Sequence, residues 1–205
     1  MNTLEKRCIE LSYKHRLTHI SSVLNTVNLL DSIYLLRVPS DPVVLGNSHA
    51  ALALYVVLES RGLCDAEAMI KKHGTHAGRD MENGIWVSGG SLGQAETIAV
   101  GMALADRDRT VWLITSDGAC AEGAIWEAFH MVSDQNLANL SIYVIANGFG
   151  GYRSIDIPVL EKRLLDALFP CWATLVKPTL KYPFLQGLAG HYLTLNEQQY
   201  QEMMQ

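Results

Sequence analysis

The sequence lacks most of the features that would place it in the commoner functional classes. Its four cysteines, Cys8, Cys64, Cys120 and Cys171, lie far apart and form no CxxC pair. That argues against a disulfide framework or a zinc site and fits a reducing cytoplasm. Charged residues make up only 18% of the chain, and the net charge is −5. This balance argues against nucleic acid or an anionic membrane surface as the main partner. No apolar run reaches membrane-spanning length, and the charged N-terminus MNTLEKRCIELSYKHR lacks a signal peptide's apolar core. The expectation is a soluble cytoplasmic protein. With no repeat, low-complexity segment or linker visible, residues 1–205 are expected to form a single domain.

What is present is apolar. Hydrophobic residues reach 49%, enough for a good core and suggestive of a large face covered by another subunit. Leu4, Cys8, Ile9 and Leu11 recur at helical spacing. A second helix is expected over Val23–Arg37, with Val27, Leu30, Ile33, Tyr34 and Leu36 inward, stopping before Pro39. A short strand over Asp41–Leu45 precedes a helix over Ser48–Arg61 that Gly62 ends, and Asp65 caps a short helix running toward His73. Gly74–Gly93 reads as a long loop, of the kind that often carries function. A small-residue helix follows Leu92. The remaining elements are strands before Asp117 and Asn147, helices over Ala121–Ser133 and Pro158–Leu168, a strand near Trp172–Val176 and a final helix from Asn196. Strands alternating with helices predict an α/β fold in three α/β/α layers, with a mostly parallel sheet covered on both faces.

The segment from Trp112 to Tyr152 is the most telling. The apolar run Val111–Ile114 ends at Ser116-Asp117-Gly118, and the run Ile142–Ile145 ends at Asn147-Gly148. Two buried strands that each deliver an oxygen ligand from the carboxyl end suit Mg²⁺, which takes its remaining ligands from phosphates and water. Taken alone, Asp117 could equally cap the following helix.

These residues carry a resemblance to the thiamine diphosphate enzymes, whose motif is Gly-Asp-Gly, then about thirty residues, then Asn. Within that group the chain resembles the diphosphate-binding N-terminal domain (PP domain) of transketolases along nearly its whole length. Gly90-Ser91-Leu92-Gly93-Gln94 with Ala99–Ala103 is similar to the stretch written GPLGQG…AVGMA. Asn47-Ser48-His49-Ala50 is similar to SxGHA, and Thr18-His19 sits where the family has SGHPG. His76 precedes the Gly-rich loop, and Pro183–Tyr200, containing His191, resembles the stretch that closes the domain.

The resemblance implies a set of roles. Asp117, Asn147 and the backbone carbonyl of Phe149 would ligate Mg²⁺, and Gly118 and His49 would meet the cofactor's diphosphate. Gly90 and Leu92 would line its aminopyrimidine end. His19, His76 and His191 would line the substrate channel, bonding sugar hydroxyls and moving protons. Glu122 matches an acidic residue at the family's subunit interface. His15, His73 and His130 have no counterpart and read as surface or satisfied core residues. Arg79 and Arg153 are the candidates for a substrate phosphate.

Some positions depart from the pattern. Ser116 replaces the first glycine of the motif, Ser91 replaces Pro and Ala95 replaces Gly. The segments between Asn147 and His191 and between Leu104 and Val111 are short for the family. This length also holds no pyrimidine-binding domain, which supplies the family's cofactor-activating glutamate. The resemblance therefore implies the N-terminal subunit of a split, transketolase-like transferase that moves a two-carbon ketol unit between sugars or sugar phosphates. Its partner would be a C-terminal transketolase-like subunit carrying the pyrimidine-binding domain, in a heterotetramer. The alternatives are a subunit of another thiamine diphosphate enzyme, of 2-oxo acid dehydrogenase or deoxyxylulose-phosphate synthase type, or a non-catalytic homologue that binds the cofactor.

Overall fold

The computed structural model describes residues 1–150, 153–178 and 181–205; Gly151 and Tyr152, the end of the 112–152 segment, lie outside them. Helices α1 (Thr3–Lys14) and α2 (Ile20–Leu36) lead into strand β1 (Val43–Leu45), then α3 (Ala51–Ser60), α4 (Ala66–His73) and α5 (Gln94–Ala105). Strand β2 (Val111–Ser116), helix α6 (Gly123–Asp134), β3 (Leu140–Ile145), α7 (Ile157–Leu168) and β4 (Ala173–Val176) follow. Helices α8 (Gly187–His191) and α9 (Glu197–Met204) close the chain.

Among the described residues the strands form one sheet in the order β1-β2-β3-β4, and every pairing is parallel. The pleat sends successive side chains to opposite faces. Leu113, Ile142 and Val144 join one buried cluster with α5, α6 and α7, whereas Ile114 and Ile145 join another with α1 to α4. Both faces are therefore covered, which explains why the strands read as continuous apolar runs rather than alternating ones. The crossovers from β2 to β3 and from β3 to β4 step across the sheet in one direction. Right-handed connections then put α6 and α7 on the same face.

Helix ends follow their local chemistry. Asn2 with Glu5 and Asn196 with Gln199 form capping boxes, and Asp65 and Asp156 cap α4 and α7. One expectation fails: Leu36, assigned inward, is 75% exposed. It occupies the last turn of α2, which runs past the edge of the layer. Helix α3 is buried all round from Ala51 to Leu58, as an apolar helix without a polar stripe must be. No described helix is long and apolar enough to cross a membrane.

Candidate active site

A cavity of about 390 Å³ opens at the carboxyl ends of β1, β2 and β3. This is the end at which open α/β sheets bind ligands, although the described strands show no reversal of order there. Its walls include Asn47, His49, Asp117, Gly118, Asn147 and Phe149 from the strand ends. His76, Gly90 and Leu92 come from the loop region before α5, His19 from the start of α2, and His191 and Tyr192 from the end of α8. All the expected site residues except Glu122 thus meet at one cavity. Glu122 stands at the N-terminus of α6 without a capping bond, packed beside Gly93. Arg153 lines, with Arg163, a second cavity of about 300 Å³ that shares Asp117 as a wall. Arg79 bonds through its backbone to Ser88 and does not line the first cavity.

Strands β2 and β3 stay in register to their last residues, Ser116 beside Ile145, and the ladder runs on through Asp117 N to Ile145 O at 2.9 Å. The two strand-end turns are thereby clamped together. Asp117 Oδ1 accepts from Gly118 N at 2.9 Å, and Oδ2 accepts from Gly148 N at 2.7 Å. The helix-cap reading of Asp117 therefore gives way to a tie across two strands. The turn's side-chain bond is supplied instead by Ser116 Oγ, which accepts from Ala119 N at 3.2 Å. Asn147 Oδ1 accepts from Phe149 N at 2.9 Å, which tightens the second turn. Gly118 has ordinary helical angles, with φ −62°. A Cβ there would make only ordinary contact, 3.4 Å from the Gly150 backbone.

Asp117 is 2% exposed, and among the described residues no Lys or Arg pairs with it. Burial raises its pKa, against the pull of the Gly148, Gly118 and Asn147 amides. Each carboxylate oxygen accepts one N–H and keeps a lone pair free. Among the described residues no three His, Cys, Asp or Glu side chains form a metal cage. One uncompensated carboxylate beside an amide oxygen fits a hard cation that shares its shell with ligand phosphates.

Four histidines, His19, His49, His76 and His191, line the same cavity. Ring centroids lie 4.4 Å apart for His19 and His191, 5.1 Å for His19 and His49, and 5.4 Å for His49 and His191. His19 has a left-handed backbone, φ 64°, and its N–H donates to the His191 carbonyl at 3.1 Å. Burial, and then the nearness of His191 and His76, lowers His19 to about 4. Burial, followed by His19, His191 and His76, lowers His49 to about 3. Burial lowers His191 as well. At neutral pH His19, His49 and His191 are uncharged, and a neutral imidazole offers one donor and one acceptor. His73, outside the cavity, bonds Asp80 at 3.1 Å and is a satisfied structural residue; His130 is exposed.

Ser22, Asn47 and Tyr192 also line the cavity, and the sequence assigns none of them a role, although Asn47 and Tyr192 stand within the matched stretches. The signal for Ser22 was its place one helical turn after His19. Asn47 directly follows the turn that ends β1, two residues before His49.

No family model matches the chain. It is 31% identical over 165 residues to one of the subunits of the apulose-4-phosphate transketolase of Phocaeicola vulgatus, covering 69% of this chain and 57% of that protein. It is 30% identical over 166 residues to the 6-deoxy-6-sulfo-D-fructose transketolase subunit SqwG of a Clostridium species, covering 71% and 60%. The match thus spans less than two thirds of either relative. Among solved structures, the transketolase of Campylobacter jejuni superposes with a TM-score of 0.65 over 99% of this chain and 43% of its own, at 18% identity. That of Leishmania mexicana gives 0.64 over 87% and 37%, also at 18% identity. These two likenesses establish the fold.

Proposed function

Since this chain belongs to the transketolase family, we propose that it is the N-terminal subunit of a split transketolase. The complex transfers a two-carbon ketol unit between sugars or sugar phosphates. The family implies thiamine diphosphate as cofactor, and Mg²⁺ is part of our proposal. Residues 1–205 serve as one diphosphate-binding domain. A C-terminal transketolase-like subunit completes the site, and two copies of each chain make a heterotetramer. Glu122 belongs to the contact between subunits.

The observation that carries this reading is the convergence, on one cavity, of the Asp117–Asn147 pair and of uncharged histidines. Asp117, Asn147 and the Phe149 carbonyl hold Mg²⁺, Gly118 and His49 meet the diphosphate, and Gly90 and Leu92 bound the aminopyrimidine end. The cofactor supplies an electron sink for cleavage of a carbon–carbon bond. His19, His76 and His191 orient the sugar through its hydroxyls and move protons at its oxygens. The uncharged imidazoles of His19 and His191 suit this task, since each can give one hydrogen bond and take another.

The test is co-expression with the product of the adjacent reading frame, followed by a ketol-transfer assay over a panel of sugars with thiamine diphosphate and Mg²⁺. The expected result is transfer by the pair, with weak cofactor binding and no transfer by the isolated chain. Robust turnover by this chain alone would refute the split-enzyme reading.

A further inference from the structure

We propose that Thr26 and Asn47 form a positioning pair that sets the spacing of the neighbouring His19 and His49 rings in the cavity wall. The inference rests on the reading of that cavity as a sugar channel. The two imidazoles arrive on separate elements: His19 is the N-cap of α2, and His49 sits in the turn after β1. Their ring centroids are 5.1 Å apart.

A buried chain of hydrogen bonds ties those elements together. Asn47 Nδ2 donates to Thr26 Oγ1 at 3.1 Å, and Thr26 Oγ1 donates to the Ser22 carbonyl at 2.7 Å. Thr26 lies in α2 one turn beyond Ser22, and Asn47 opens the turn that carries His49, its carbonyl accepting from Ala50 N at 2.8 Å. Thr26 is 0% and Asn47 1% exposed.

The polarity of this chain is determined. A threonine hydroxyl has one proton, and the Ser22 carbonyl takes it. Thr26 Oγ1 can then only accept, so the amide must turn its NH₂ toward α2. Asn47 Oδ1 is left buried without a hydrogen-bond partner. A buried acceptor left unpaired costs stability, and an apolar pair of similar shape would avoid the cost. Packing alone therefore does not account for this choice of residues. A directional tie between α2 and the His49 turn does.

The ionisable groups that act on the two rings are His76 and His191, besides each ring's effect on its neighbour. Burial is the larger cause at both rings, so the titration midpoints follow how tightly the rings are packed and shut off from water. The test is histidine-ring titration by NMR on the full chain, comparing wild type with Thr26→Val and Thr26→Ser. Thr26→Val should raise the His19 and His49 midpoints toward the ordinary 6.5, and Thr26→Ser should restore them. Asn47→Ser, too short to reach Thr26 and without an amide to orphan, should act as Thr26→Val does.

In the complex with its partner chain, Thr26→Val should raise the sugar KM roughly tenfold, as expected for losing ordered neutral hydrogen bonds, and should also weaken thiamine diphosphate binding by calorimetry, because His49 meets the diphosphate. A lower melting temperature with unmoved midpoints would show a packing role and overturn the proposal. Moved midpoints with an unmoved KM would overturn it too. If the wild-type complex bound no thiamine diphosphate, the proposed function would fail, and the NMR comparison would still decide the spacing.

Discussion

Asp117 and Glu96 are both shut off from water, at 2% and 0% exposure, and burial raises the pKa of each. They differ in their surroundings. Asp117 borders the cavity, and backbone amides from two turns hold its oxygens in place. Glu96, in the first turn of α5, accepts a short hydrogen bond from Thr115 Oγ1 and lies against Gly46, away from the cavity. Its second oxygen has no partner. Burial marks both carboxyls equally, so burial does not identify a site. Rigid backbone donors together with an open face distinguish Asp117 from Glu96.

The largest expected effect breaks the first half of this comparison. Asp117→Asn in the assembled complex should abolish the rise in melting temperature that thiamine diphosphate with Mg²⁺ gives wild type. That rise corresponds to about 2.7 kcal/mol at a hundredfold excess over Kd. Without ligand, the variant should melt somewhat below wild type, because an Asn side chain can accept from only one of the two backbone amides and sets its NH₂ against the other. A ligand response that survives in Asp117→Asn would remove Asp117 from the metal site.

The second half is sharpened at Gly46. A Cβ there would stand 2.2 Å from Glu96 Oε1 and 3.2 Å from the Ile114 carbonyl. Gly46→Ala should cost about 1–3 kcal/mol by overpacking, measured by urea denaturation. Glu96→Ala in the same chain should relieve part of that cost, a coupling a double-mutant cycle reads directly. Additive effects would mean that the two residues do not share the space.

A pH series tests the histidine wall. His19 and His49 are lowered to about 4 and about 3 from 6.5, so below 6.5 the unfolded chain binds more protons than the folded one. Stability contributed by these rings is full above 6.5 and is lost as pH falls toward their folded values. His49→Gln should flatten the acid side of the stability profile measured by denaturant midpoints. An unchanged profile would mean that His49 is not buried as described.

The smallest effect concerns Glu96. Its folded pKa is raised above 4.5, so its contribution is present below that value and is lost as pH rises through the folded one. This slope opposes that of the histidines. Glu96→Gln should change little near pH 4.5 and gain modestly at neutral pH, again by denaturant midpoints. Equal stability differences at both pH values would show that Glu96 keeps an ordinary titration.

Much of the fold was legible locally. The runs before Asp117 and Asn147, the caps Asp65 and Asn196, and Gly62 after α3 act over a few residues, so a short window contains their cause. Leu36 was not legible, because the same helical stripe continues past the point where the layer beneath it ends. The site was legible in membership and not in arrangement. The resemblance brought His19, His49, His76 and His191 together, but nothing local indicates that three of the rings pack within 5.4 Å of one another or that burial lowers the pKa of each. Ser22 is not legible, and Asn47 is legible only as a motif position without a role, because neither carries a distinctive chemistry until a neighbour gives it one.

By itself the sequence determined the alternation of strands and helices, the two oxygen-bearing strand ends and the family to which they point. Periodicity, caps and motif spacing are properties of adjacent residues. Only the tertiary structure decided that Asp117 ties two turns rather than capping a helix, since its partner Gly148 lies 31 residues away. It alone decided, too, which of two buried carboxyls faces a cavity. Those outcomes depend on desolvation and on donors brought in by distant segments, and both arise only when the chain has closed around them.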